Sequence, residues 1–211
     1  MFSVFSIRSA VLLPGLLFAF HAFDLAAAET DPGALAENRV NITDLSKPDS
    51  AGKSYLAATI VNAPVSKLCA VILDFPAYPG FMPNTDQTRV VQATDAFSII
   101  DMTLKLPLGK IKKYRLRMEP KIAEPKNATA SCHLSWKMVQ QPALKQEETI
   151  ADTSGYWDLQ PLATDKTKSV VKYFVYSDPG PVPMGLGWVV DSLGKDSLPK
   201  TLEALRAKVV H

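Results

Sequence analysis

Histidine and cysteine are scarce in this chain, three of the first and two of the second among 211 residues. No Cys/His cluster has zinc-ligand spacing, and neither a Walker loop nor a Gly-rich dinucleotide fingerprint occurs, so the sequence calls for no metal and no cofactor. An excess of one charge sign is also missing: 23 Lys and Arg face 21 Asp and Glu, for a formal net charge of +2. That balance excludes the electrostatic footprint of a nucleic-acid partner. The apolar run from Ala10 to Phe20 falls short of the roughly 20 residues that a membrane-spanning helix needs. What remains, 47% hydrophobic and 21% charged, is the composition of one globular domain large enough to bury a core. Nothing in it fixes an oligomeric state.

Arg8, the apolar run and the small residues Ala26-Ala27-Ala28 read together as a signal peptide over residues 1–28, cleaved after Ala28. The chain is then exported, with a periplasmic location expected, and the absence of a cysteine after the small residues argues against a lipid anchor. Residues 29–38 form a polar leader, and residues 39–211 form the domain. Export permits a disulfide between Cys69 and Cys132. Both cysteines fall on apolar faces, however, which suits two buried free thiols better.

"RVNITDLSK" and "KSYLAATIVN" read as strands joined by a turn, and "APVSKLCAVILDF" as a helix with apolar residues three and four apart. The stretch "FPAYPGFMPN" follows, broken by Pro76, Pro79 and Pro83, and is expected to be a loop despite its aromatic content. Beyond it the side-chain parity of five strands is plain. Ile100, Met102, Leu104 and Leu106 share a face, as do Tyr114, Leu116 and Met118; Cys132, Leu134, Trp136 and Met138; Trp157 and Leu159; and Val171, Tyr173 and Val175. The alternating residues are polar. One dry face and one wet face predict an antiparallel sheet covered on one side only. The cover is a C-terminal helical stripe from Leu186 to Val209, with a break expected near Ser197 because Pro199 interrupts it.

Parity also removes the usual acid and base groups from the dry face. His133, Asp101, Glu119 and Asp158 all point outward, His21 leaves with the signal, and His211 is the last residue. No catalytic residue is therefore assigned. The inward polar groups are the hydroxyls of Tyr114 and Tyr173 and the indoles of Trp136 and Trp157, which suit binding better than turnover. In "KIKKYRLR", Lys113, Arg115 and Arg117 alternate outward; this reads as a solvated strand face, with transient contact to anionic lipid headgroups as the alternative.

Three stretches carry a resemblance: "NAPVSKLCAVILDFPAYPGFMP", "GYWDLQPL" and "VVKYFVYSDPGPVPMGLGWVVDSLGKDSLPKTLEALR". In this order the chain resembles the START-like superfamily of polyketide cyclase/dehydrase and lipid-transport proteins, including its coenzyme Q-binding branch. The resemblance implies an α+β helix-grip fold, a curved antiparallel β-sheet wrapped around a long C-terminal α-helix, with a hydrophobic small molecule or lipid held between them. It places Phe75, Tyr78, Phe81 and Met82 as a lip at the mouth of the cavity. Met102, Leu104, Tyr114, Leu116, Trp136, Trp157 and Tyr173 then contact the ligand from the sheet. Met184, Leu186 and Trp188 approach it from a segment hinged by glycines before the helix. The function implied is an exported carrier of a lipid, isoprenoid quinone, hopanoid or sterol-like molecule. A cyclase or aromatase using the same cavity, with Tyr114 or Tyr173 assisting proton transfer, is the alternative.

Overall fold

The computed structural model describes residues 35–123, 130–181 and 194–210. Within them lie β1 (Asn41–Asp44), β2 (Lys53–Val61), α1 (Val65–Leu73), β3 (Thr85–Ala93), β4 (Ser98–Lys105), β5 (Ile111–Ala123), β6 (Ser131–Val139), β7 (Asp152–Leu162), β8 (Asp165–Asp178) and α2 (Ser197–Val210). The strands form one eight-stranded sheet in the order β1-β2-β8-β7-β6-β5-β4-β3. Every neighbouring pair is antiparallel. After β2 the chain crosses to the far edge through α1, then returns strand by strand until β8 pairs with β2. The parity read from the sequence holds. Ile100, Met102, Tyr114, Leu116, Met118, Cys132, Leu134, Trp157, Leu159 and Val171 are buried in one core against both helices.

Helix α1 begins directly after Pro64, whose fixed φ of −69° suits the entry to a helix. Its Val65, Leu68, Cys69 and Ile72 are buried, the three- and four-residue spacing of a single face. Helix α2 begins at Ser197, where the break was expected, and Pro199 sits in its first turn, where a missing N–H costs no helical bond. Leu198, Thr201, Leu202, Leu205 and Val209 form its buried side. The expected stripe from Leu186 to Leu193 lies outside the described residues.

The structure corrects three expectations and adds one strand whose parity was not read. The proline-broken aromatic stretch is ordered as a 3-10 helix, Phe75–Gly80, not a loop. Prolines at its start and interior supply a helical φ, and bonds such as Phe81 N–H to Tyr78 O (3.1 Å) close its turns. Cys69 and Cys132 are bonded to each other, tying α1 to β6, and are not two free thiols. The sheet is not covered on one side only: Leu35 packs with Ala58 and Ile60, which alternate with the core-facing residues of β2. Leu35 belongs to what was read as polar leader. That leader is anchored further by Glu37, which pairs with Lys168 at 2.5 Å. Finally, β3 is a full edge strand that the parity reading did not single out. Most of its residues are exposed, so it carries no dry face to read.

Candidate ligand cavity

Because the strands are antiparallel, the starts of β2, β3, β5 and β7 share one edge of the sheet with the ends of β4 and β8. There, beside the first turns of α2, lies a cavity of about 190 Å³. Its wall contains Tyr78, Met82, Met102, Leu104, Tyr114, Leu116, Trp136, Trp157 and Tyr173, all anticipated from the sequence. Met184, Leu186 and Trp188, also anticipated, lie outside the described residues.

The floor is aromatic. Tyr173 contacts two indoles, with ring centroids 4.2 Å from Trp157 and 5.6 Å from Trp136. Trp136 lies directly opposite Gly155 in the β6–β7 register, and a Cβ at that position would overlap both the indole and the Phe174 carbonyl. Glycine in "GYWDL" is thus what lets the ring lie flat across the sheet. Burial pushes the hydroxyls of Tyr78, Tyr114 and Tyr173 well above the usual phenol range, so all three are neutral donors. The Tyr78 hydroxyl donates to the Ile72 carbonyl at 2.6 Å, closing the end of α1. Tyr114 is 9% exposed, and neither its hydroxyl nor that of Tyr173 has a hydrogen-bond partner among the described residues.

Phe75 and Phe81 are not in the cavity wall, which corrects part of the expected lip. In the 3-10 helix Phe75 and Tyr78 lie one three-residue turn apart, and Phe81 follows at its non-helical cap. The two phenylalanine rings flank Tyr78 edge-on, at 5.7 and 5.6 Å, and brace it from outside the wall.

Among the described residues the wall includes no His, Asp or Glu. Those groups are engaged on the other face of the sheet, as parity required. Asp101 accepts from Arg115 at 2.6 Å and from Arg89 at 2.7 Å, contacts that hold its carboxyl below the usual range, Arg115 contributing most. Glu119 pairs with Arg117 at 2.5 Å. His133 lies 3.7 Å from Asp158 and stacks on Tyr156.

The wall also holds residues not assigned from the sequence: Tyr55, Lys53, Lys112, Thr153, Ser177 and, from α2, Ser197 and Thr201. Lys112 was legible, since it has the parity of Tyr114, but the strand was read from Lys113 onward. Lys53, Lys112, Thr153 and Ser177 sit near strand ends and Ser197 and Thr201 in the first turns of α2, and together they form a rim. The cavity is therefore aromatic within and hydroxyl- and ammonium-bearing at its mouth.

No family model and no curated protein matches the sequence. Solved structures do match its fold. The STAR-related lipid transfer protein of Xanthomonas axonopodis superposes with a TM-score of 0.68 at 18% identity, covering 82% of this chain and 94% of that one. Human StAR-related lipid transfer protein 5 gives 0.65 at 16%, covering 83% and 84%. The Zhui aromatase/cyclase of Streptomyces sp. R1128 gives 0.56 at 11%, covering 82% and 94%. With these likenesses and the sheet order above, the chain has the START-type helix-grip fold, α+β, its antiparallel sheet curved around the C-terminal helix.

Proposed function

We propose that this chain is an exported binding and carrier protein for a hydrophobic molecule, a lipid, isoprenoid quinone, hopanoid or sterol-like compound, held between the sheet and α2. The observation that carries the reading is the cavity itself. Its floor of Trp136, Trp157 and Tyr173 offers apolar contact, and the hydroxyls of Tyr114 and Tyr173 offer hydrogen bonds that no described residue takes up. Lipid transfer proteins among the fold neighbours support the same reading. So does the Cys69–Cys132 bond for export, because such bonds persist in oxidising compartments.

An aromatase/cyclase neighbour supports the competing enzyme reading. Proton transfer would then fall to Tyr114 or Tyr173, whose burial makes both poor acids at neutral pH. The carrier reading fits those neutral donors better.

The test is mass spectrometry of organic extracts from natively purified protein, with Trp136→Asp beside an outward control, Lys137→Asp. The expected result is an apolar molecule that co-purifies with the wild type and the control and is lost from Trp136→Asp, folded fractions being checked by circular dichroism. No apolar molecule bound by any form, natively or on addition, overturns the reading. An added molecule recovered chemically changed overturns it in favour of the cyclase.

A further inference from the structure

Lys112 is the unusual member of the cavity wall. It is half-buried at the start of β5, and burial holds its ammonium below the usual lysine range. Its Nζ donates to the Thr149 carbonyl at 2.6 Å, and no carboxylate lies within ion-pair distance among the described residues. Glu147 is near enough to favour the charge without reaching that distance. An ammonium has three donors, so one carbonyl leaves it short of partners, and a charge withdrawn from water is costly until an anion or dipoles compensate it. The hydroxyl of Thr149 is itself buried without a hydrogen-bond partner among the described residues.

The rest of the rim has the same sign. Lys53 is in the wall, and so are Ser197 and Thr201 of the N-terminal turns of α2, the positive end of that helix's dipole. Lys53 also faces the exposed Asp44, whose carboxyl is held low first by Ser46 and then, in part, by this lysine. Deeper in, the wall turns to Tyr114, Trp136, Trp157 and Tyr173. At about 190 Å³ the cavity is smaller than the roughly 300–1,000 Å³ of sites for drug-sized ligands, and it suits one slim chain better than a bulky ring system.

Resting on the carrier reading above, we infer that the ligand is a single-chain amphiphile with an anionic headgroup, its carboxylate or phosphate docked on Lys112 at the mouth and its chain lying on the aromatic floor. The ammonium supplies a charge-assisted hydrogen bond that an uncharged headgroup does not strengthen.

The test uses Trp fluorescence of the wild-type chain with four probes of equal chain length: dodecanoate, dodecyl phosphate, dodecanol and dodecyltrimethylammonium. One or both anions should bind about tenfold or more tightly than the alcohol, the cation weakest. Lys112→Met should bring anion and alcohol within about twofold, and Lys112→Arg should keep the preference. The wild-type series decides even where a variant does not fold. Carboxylate and phosphate arms tell a fatty-acid-like ligand from a phosphate-bearing one, and preference for either anion supports the inference. Equal binding of anion and alcohol, or an anion preference that survives Lys112→Met, overturns the headgroup assignment and leaves the carrier standing. Binding of none of the four overturns the single-chain amphiphile inference, while the carrier reading stands or falls on the native extracts described above.

Discussion

Reduction of the Cys69–Cys132 bond should cost this protein a large part of its stability. The bond closes a loop of 63 residues that runs from α1 through β3, β4 and β5 to β6. In the chain-entropy account, freeing a loop of that length restores about 14 cal/mol/K to the unfolded chain, or about 4 kcal/mol at 25 °C. Packing loss in a Cys69→Ala/Cys132→Ala variant adds little to this, since each substitution removes one sulfur atom. Urea unfolding followed by Trp fluorescence, with and without dithiothreitol, reads the effect. With a slope of about 2 kcal/mol/M, the midpoint should fall by about 2 M for both the reduced wild type and the double variant. The slope should also rise, because an uncrosslinked denatured chain exposes more surface. A midpoint shift under about 0.5 M in both would refute the entropic reasoning. A shift in the variant without one in the reduced wild type would instead locate the cost in packing.

Other consequences concern single side chains. Tyr78→Phe keeps the ring in the cavity wall but removes its bond to the Ile72 carbonyl, so stability should drop by about 1–3 kcal/mol while apolar ligand affinity stays within about twofold; a neutral change in urea midpoint would show that carbonyl to be satisfied otherwise. Asp101, held below its unfolded pKa chiefly by Arg115, contributes stability present above about pH 4 and lost as pH falls through its lower folded value. The stability gap between wild type and Asp101→Asn should therefore close as pH falls from about 5 toward 3, and a gap constant over that window would sink the assignment.

How much of this was legible in the sequence follows from what each residue's environment depends on. Side-chain parity is a property of a single strand, so the inward set from Met102 to Tyr173 could be read without knowing which strands pair. The same property exposed Lys112 to view, had the strand been started one residue earlier. Strand β3 has no such signal because it lies at an edge with few neighbours, and only its pairing with β4 defines it. Pairing of Cys69 with Cys132 depends on α1 settling over β6 so that the two Cα atoms come within 6.0 Å, a tertiary distance that parity on either element does not contain. Of the expected lip, Tyr78 and Met82 line the cavity and Phe75 and Phe81 do not. Four apolar side chains in a proline-rich stretch point to burial, but which of them reach the cavity depends on how the 3-10 helix docks on the rest of the fold, a tertiary relation that the sequence pattern does not contain.

The wall of the cavity is thus held unevenly. On the side of α1 the Cys69–Cys132 bond fixes the helix to β6, the Tyr78 hydroxyl fixes the 3-10 turn to the end of that helix, and Phe75 and Phe81 hold the Tyr78 ring between them. The floor is equally set, because Trp136 rests on Gly155 and the Tyr173 ring contacts both indoles. At the rim Lys53 and Ser177 are paired in the β2–β8 ladder, but among the described residues no side-chain hydrogen bond joins Lys53, Thr85, Ser177 and Lys112 to one another, and the polar partner of Lys112, the Thr149 carbonyl, comes from the loop before β7. Shape selectivity for a buried chain therefore resides in the α1 shoulder and the aromatic floor, and on the inference above charge selectivity for the headgroup resides at the rim, in Lys112. Under the carrier function proposed above, the rigid floor would grip the buried chain while the headgroup is released at the rim without remodelling the core.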